Sequence, residues 1–156
     1  MQSQRLFISM VIFISACNSV SNAPEIPKPE SFHPSSIYLY RKGGLIRAAD
    51  PTSIYLNQNY VASLTGNTYL KIDVDPKEYV IALYSKEDVD TEILVKANEE
   101  YCYEVQRNEK QVLLGAILGG IGTAMQKAFK LVEQDCNDWL PSISKYKFVD
   151  VQYGEN

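Results

Sequence analysis

Apolar and polar residues alternate in short runs through the middle of the chain, and turn residues separate the runs. Ile37-Tyr38-Leu39-Tyr40 opens the series, with Lys42-Gly43-Gly44 as a break behind it. Ile54-Tyr55-Leu56 and Tyr60-Val61-Ala62-Ser63-Leu64 flank Asn57-Gln58-Asn59, which predicts a tight hairpin. Gly66-Asn67 turns the chain into a run ending at Val74. There Leu70, Ile72 and Val74 share one face and Lys71 and Asp73 the other, so the strand is half solvated. Asp75-Pro76-Lys77 leads into Tyr79-Val80-Ile81-Ala82-Leu83-Tyr84, apolar on both faces and expected at the centre of a sheet. Runs from Thr91 to Lys96 and from Tyr101 to Val105 bring the set to about seven strands, and Tyr146 to Val151 reads as one more. Short strands at a spacing of roughly 8–12 residues predict a mostly β chain, an antiparallel β-sandwich or small barrel.

The periodicity changes at Val112, where a glycine-rich stretch runs to Met125. Gly120-x-Gly122 is the start of a dinucleotide fingerprint, but Met125 holds the third glycine position and too little chain follows for a βαβ unit. Gly115 and Gly119, with Ala116, Gly120, Ala124 and Ala128, form a glycine-zipper-like face over 112–130 suited to close helix contact in lipid. Its uncharged run is about 16 residues, near 24 Å as a helix and short of a span. The favoured expectation is a packed C-terminal helix at about 113–134. Leu114, Ile117, Leu118, Ile121, Met125, Ala128, Phe129 and Val132 fall on one stripe, and Lys127, Lys130, Glu133 and Gln134 lie off it. Such a helix would lie across the strands and carry Cys136 towards Cys102.

The N-terminus has a different design. Arg5 precedes an apolar run from Leu6 to Ile14, which is too short to span a bilayer as a helix. A basic residue, a short apolar run and small residues together make a secretory signal, here residues 1–16. Ile14-Ser15-Ala16-Cys17 resembles the lipobox of bacterial lipoproteins, in which the cysteine is diacylated and becomes the new N-terminus. The competing reading is plain secretion with a chance cysteine near the cut. An acylated Cys17 would anchor the chain to a membrane, since two or more acyl chains hold stably where one binds reversibly. Asn18, where aspartate in the proteins of this resemblance retains them in the inner membrane, favours the outer membrane and a chain facing the periplasm. Residues 17–35 carry four prolines and few bulky apolar residues. They predict an extended tether that holds a domain over 36–156 a few nanometres from the headgroups.

Charge and chemistry narrow the function. Loss of residues 1–16 leaves 14 basic against 19 acidic residues, a formal charge of −5, with no basic stripe to suggest nucleic acid. With Cys17 taken for lipid, Cys102 and Cys136 remain in an oxidising compartment and are most simply a disulfide; two reduced buried thiols are the alternative. The only histidine, His33, lies in the tether, which speaks against a metal or catalytic role. Glu99-Glu100 and the pair Asp88 and Asp90 read as solvated loop acids, and Asp73-Val74-Asp75 lacks the remaining ligands of a calcium loop. Eleven tyrosines could make a contact platform, but their strand spacing favours a structural role.

"SSIYLYRKGG", "IYLNQNYVASLTGNTYLKIDVDPKEYVIAL" and "EILVKANEEYCYEV" together resemble the DUF2846 family of bacterial proteins, many of them lipoproteins, over roughly residues 36–107. The chain departs from that family's pattern at Pro76-Lys77, where Pro-Gly is usual, and at Asn98, near a usual glycine. The resemblance implies a transthyretin-like or related β-sandwich and no catalytic residues. The resulting expectation is a non-catalytic envelope lipoprotein without cofactor, bound to the membrane through Cys17, whose domain contacts an envelope protein. The alternatives are an envelope-integrity protein acting through the glycine-zipper-like helix and a periplasmic small-ligand binder.

Overall fold

Seven of the strands expected from alternation are present in the computed structural model, which describes residues 26–30, 34–44, 51–108, 128–151 and 153. They are β1 (Ser35–Arg41), β2 (Thr52–Leu56), β3 (Asn59–Leu64), β4 (Thr68–Val74), β5 (Glu78–Leu83), β6 (Thr91–Leu94) and β7 (Glu100–Arg107). After them come β8 (Phe129–Gln134), a short helix α1 (Cys136–Trp139), a 3-10 helix (Leu140–Lys145) and β9 (Lys147–Phe148).

Asparagine chemistry sets the turns. Asn57 and Gln58 adopt φ of 48° and 69°, the left-handed pair of a two-residue hairpin whose twist matches the flanking strands. Asn57 also ties the hairpin to β5: its N–H donates to the Val80 carbonyl and its Oδ1 accepts from the Val80 N–H, both at 2.8 Å. Asn67 and Asn98 hold φ of 60° and 59°, a region asparagine tolerates better than most residues.

The strands form two sheets, one in the order β8-β7-β1-β4-β9 and one in the order β3-β2-β5-β6. The chain crosses between them repeatedly. β1 lies antiparallel to β4, pairing Leu39 with Leu70, and parallel to β7, pairing Leu39 with Tyr103. The purely antiparallel expectation is therefore corrected at β1–β7 and again at β4–β9. β7 returns from the other sheet through residues 95–99 at the end where β1 begins, so the two run the same way. Alternation within a strand carries no information on that direction.

One apolar cluster takes side chains from both sheets. Ile37, Leu39, Leu70, Ile72 and Val105 come from one, and Ile54, Leu56, Leu64, Ile81 and Leu83 from the other. Arg41 is buried at one end of this layer. Its Nη1 donates to Thr52 Oγ1 at 3.1 Å and to the Leu64 carbonyl at 3.3 Å, and its guanidinium lies 4.0 Å from the Phe129 ring centroid. A β1 side chain thus reaches two strands of the other sheet.

Three expectations need correction. Phe129–Gln134, the C-terminal part of the expected helix, is a strand paired antiparallel with β7 from Arg107↔Phe129 to Cys102↔Gln134. The edge of β7 offers a full ladder of hydrogen bonds, and Phe129 and Leu131 pack on the core from it; residues 113–127 lie outside the described residues. The last expected strand shortens to Lys147–Phe148. The tether is also not free throughout. Ile26 is buried in the core cluster at 3% exposure, with a parallel bridge to Tyr153. An aliphatic side chain finds an apolar socket there, and its burial favours docking.

Leu39→Ala empties a fully buried central position and should cost about 2–5 kcal/mol, read as a lower urea midpoint in chemical denaturation. The buried tyrosines give a pH prediction. Burial, with Asp75 adding to it, pushes the Tyr79 hydroxyl up to about 12, and burial with Glu133 does the same for Tyr103. In the unfolded chain both ionise near 10. Their contribution to stability is therefore complete below about pH 10 and lost as pH rises through about 12. A spectrophotometric tyrosine titration should show late-ionising groups that appear together with unfolding; uniform ionisation near pH 10 in an intact fold would contradict this.

Candidate interaction site

The outward face of β1 carries Tyr38 and Tyr40, and these are buried as well. Their cover comes from the chain after β8. Asp135 caps α1, accepting from the Asn137 N–H at 2.8 Å, and Pro141 near the start of the 3-10 helix fixes the change of helix type. Between them Trp139 stacks on Tyr40, with ring centroids 4.3 Å apart and planes 13° apart. Tyr38, Tyr69 and Tyr146 surround the indole at 5.9, 5.9 and 5.7 Å. Its Nε1 meets no acceptor among the described residues. Next to this cluster Glu104 is buried, paired with Lys42 Nζ at 2.9 Å and accepting a long hydrogen bond from the Tyr40 hydroxyl at 3.5 Å. Burial first, then the Glu104 charge, raises the Tyr40 hydroxyl far above its usual value.

Cys102 and Cys136 are joined by a disulfide, with Cα atoms 5.3 Å apart. The β7–β8 register explains the pairing: Cys102 lies opposite Gln134, and two further residues bring Cys136 back over the sheet. The bond fastens α1, and with it Trp139, to β7.

Beside the disulfide lies an open groove of about 680 Å³, bounded by residues 98–102 on one side and 133–137 on the other. Glu99, Glu100, Glu133 and Asp135 line it, so its character is anionic. Tyr38 donates to Glu100 at 3.3 Å and Tyr101 to Glu99 at 2.7 Å, while Lys96 stands 3.9 Å from Glu99. Both tyrosine hydroxyls are raised, by burial first and then by these carboxylates, with Lys71 opposing the rise at Tyr38. They act as donors that hold two of the acids in place. What the groove can do is attract and orient a cationic segment.

The sequence had marked Glu99 and Glu100 as loop acids but gave no sign that Glu133 and Asp135 would join them. That required β8 to be a strand. Asp73 and Asp75 do not converge on a cation: Asp73 accepts from the Ser36 hydroxyl at 2.8 Å and pairs with Lys71 at 2.9 Å, and Asp75 accepts from the Glu30 N–H at 3.1 Å. Asp90 accepts from the Leu83 N–H at 2.7 Å and shapes the loop before β6. Cys17, Asn18 and His33 lie outside the described residues, as does the signal segment 1–16. Among the described residues no helix is long and apolar enough to cross a membrane.

No protein-family profile, curated protein or solved structure matches this chain.

The disulfide closes a loop with a sequence separation of 34, for which the chain-entropy model gives about 3.8 kcal/mol. Cys102→Ala with Cys136→Ala should lower unfolding stability by roughly that amount. Because Trp139 is the only tryptophan, its fluorescence should report the loss at lower urea; an unchanged midpoint would show that the aromatic cluster alone holds α1.

Proposed function

We propose that the protein is a non-catalytic bacterial envelope lipoprotein, anchored by lipid on Cys17 to the outer membrane and facing the periplasm. Its two sheets form a β-sandwich, transthyretin-like or related, that acts as an interaction module for another envelope protein. The resemblance of residues 36–107 to the DUF2846 family agrees with this reading, and so do the apolar run before Cys17 and the Ser15-Ala16 pair.

One observation carries the interaction part: the acid-lined groove beside the Cys102–Cys136 bond. Tyr38 and Tyr101 hold Glu100 and Glu99, and Asp135 caps α1, so three of the four carboxylates are tied to neighbouring groups. Complementary charge steers encounter and fixes register more than it adds affinity. The partner surface this suits carries lysine or arginine. The alternative of a helix over 112–130 at the membrane loses its last residues, because Phe129 and Lys130 belong to β8.

The test is a crosslinking pull-down of the natively lipidated protein from intact cells, read by mass spectrometry. A reproducible protein partner should be recovered, weakened by salt, and lost on Glu99→Lys with Glu133→Lys, both at exposed positions. Recovery that survives the double reversal removes the groove from the account. Mass spectrometry of the purified chain checks the anchor directly, since Cys17→Ser should release the protein from the membrane fraction.

A further inference from the structure

We infer that the domain is held with one particular end towards the bilayer, the end that carries both the Ile26 socket and the acid-lined groove. This rests on the reading that Cys17 carries the lipid. Among the described residues, the N-terminal chain is already fixed to the fold at Ile26, ahead of the start of β1 at Ser35. Ile26 is buried in the core cluster and bridged to Tyr153, and Glu30 N–H is held by Asp75.

Chain length then limits orientation. Nine Cα-to-Cα steps separate Cys17 from Ile26, a reach of about 32 Å at full extension. A folded domain of this size has a radius of gyration near 14 Å and hence a diameter of about 36 Å. To turn its far end to the lipid, the leash would have to run the length of the domain, which about 32 Å does not allow. If Ser35 were the first fixed point, eighteen steps would reach about 64 Å and the domain could present any side. Docking of Ile26 is what removes that freedom.

The strand register shows what shares this end. A cleft beside Ile26 is lined by Asn57, Asp75 and Lys77, the β2–β3 and β4–β5 turns. Ser35, at the start of β1, pairs with Val74, and the neighbouring Ser36 pairs with Glu100. The groove therefore opens at the end of the fold nearest the lipid. The loop at residues 85–90, between β5 and β6, is at the opposite end. The partner class follows: a basic segment that lies within about 30 Å of the membrane surface, such as the juxtamembrane part of an integral protein.

The experiment uses the full, lipidated chain in phosphatidylcholine vesicles containing an energy-acceptor lipid. A donor dye is placed through an unnatural amino acid at Gln58 or at Glu87. Transfer should be several-fold stronger from Gln58. Ile26→Asp should bring the two sites towards equality, and so should an insertion of about ten Gly-Ser residues after Asn22, which lengthens the leash. Equal transfer from both sites in the unaltered protein, with acylated Cys17 verified by mass, overturns the orientation and leaves the anchor standing. A native Cys17 without lipid overturns both.

Discussion

A strand buried on both faces needs two covers, and β1 imposes that requirement on the rest of the molecule. All seven residues from Ser35 to Arg41 are buried. Ile37 and Leu39 point into the layer shared with the second sheet, and Tyr38 and Tyr40 point the other way. The first cover is the four-stranded sheet. The second is small, and the chain supplies it last: Trp139, with Leu140, Ile143 and Tyr146 around it. A four-residue helix has little stability of its own. Stacking on Tyr40 and the bond from Cys136 to Cys102 give it a fixed place. The aromatic cover and the groove wall are therefore one construction.

What was legible in the sequence was local. Alternation at Leu70, Ile72 and Val74 placed the core face of β4, and Asn57-Gln58-Asn59 marked a tight hairpin, of which Asn57 and Gln58 form the turn. Tyrosine spacing favoured a structural role in strands, and Tyr79 and Tyr103 do lie in strands, inside the core. Cysteine count, once Cys17 was set aside, paired Cys102 with Cys136 correctly. Each of these depends on residues close together in sequence or on few possibilities.

What was not legible depended on distant partners. Phe129-Lys130-Leu131-Val132-Glu133-Gln134 fits a helical stripe if it is read with the glycine-rich residues before it. Read alone it carries Phe129 and Leu131 two residues apart, a strand face; only the free edge of β7 decides between them. Arg41 lies between the opening run and the glycine break, and its burial against Thr52 and Leu64 depends on contacts with the other sheet. Ile26 is a single aliphatic residue among prolines, and no periodicity could show that it has a socket beside Tyr153. The groove inherits this limit, since two of its four carboxylates come from either end of the β8–α1 junction.

Affinity at such a groove need not be high. Exposed carboxylates paired with a partner's lysines contribute roughly 0–1 kcal/mol each, because water and salt screen them. A soluble module would bind weakly by this means alone. With the lipid on Cys17 that we propose, the domain and a membrane-borne partner share a layer about 32 Å deep. Confinement of that kind raises the effective concentration towards the millimolar range, where a weak and selective contact is sufficiently occupied. The buried Ile26 contributes here as much as any charge does. On the anchoring we propose, it would shorten the leash, keep the groove in the same layer as a membrane-borne partner, and let a modest electrostatic pattern select that partner without binding it irreversibly.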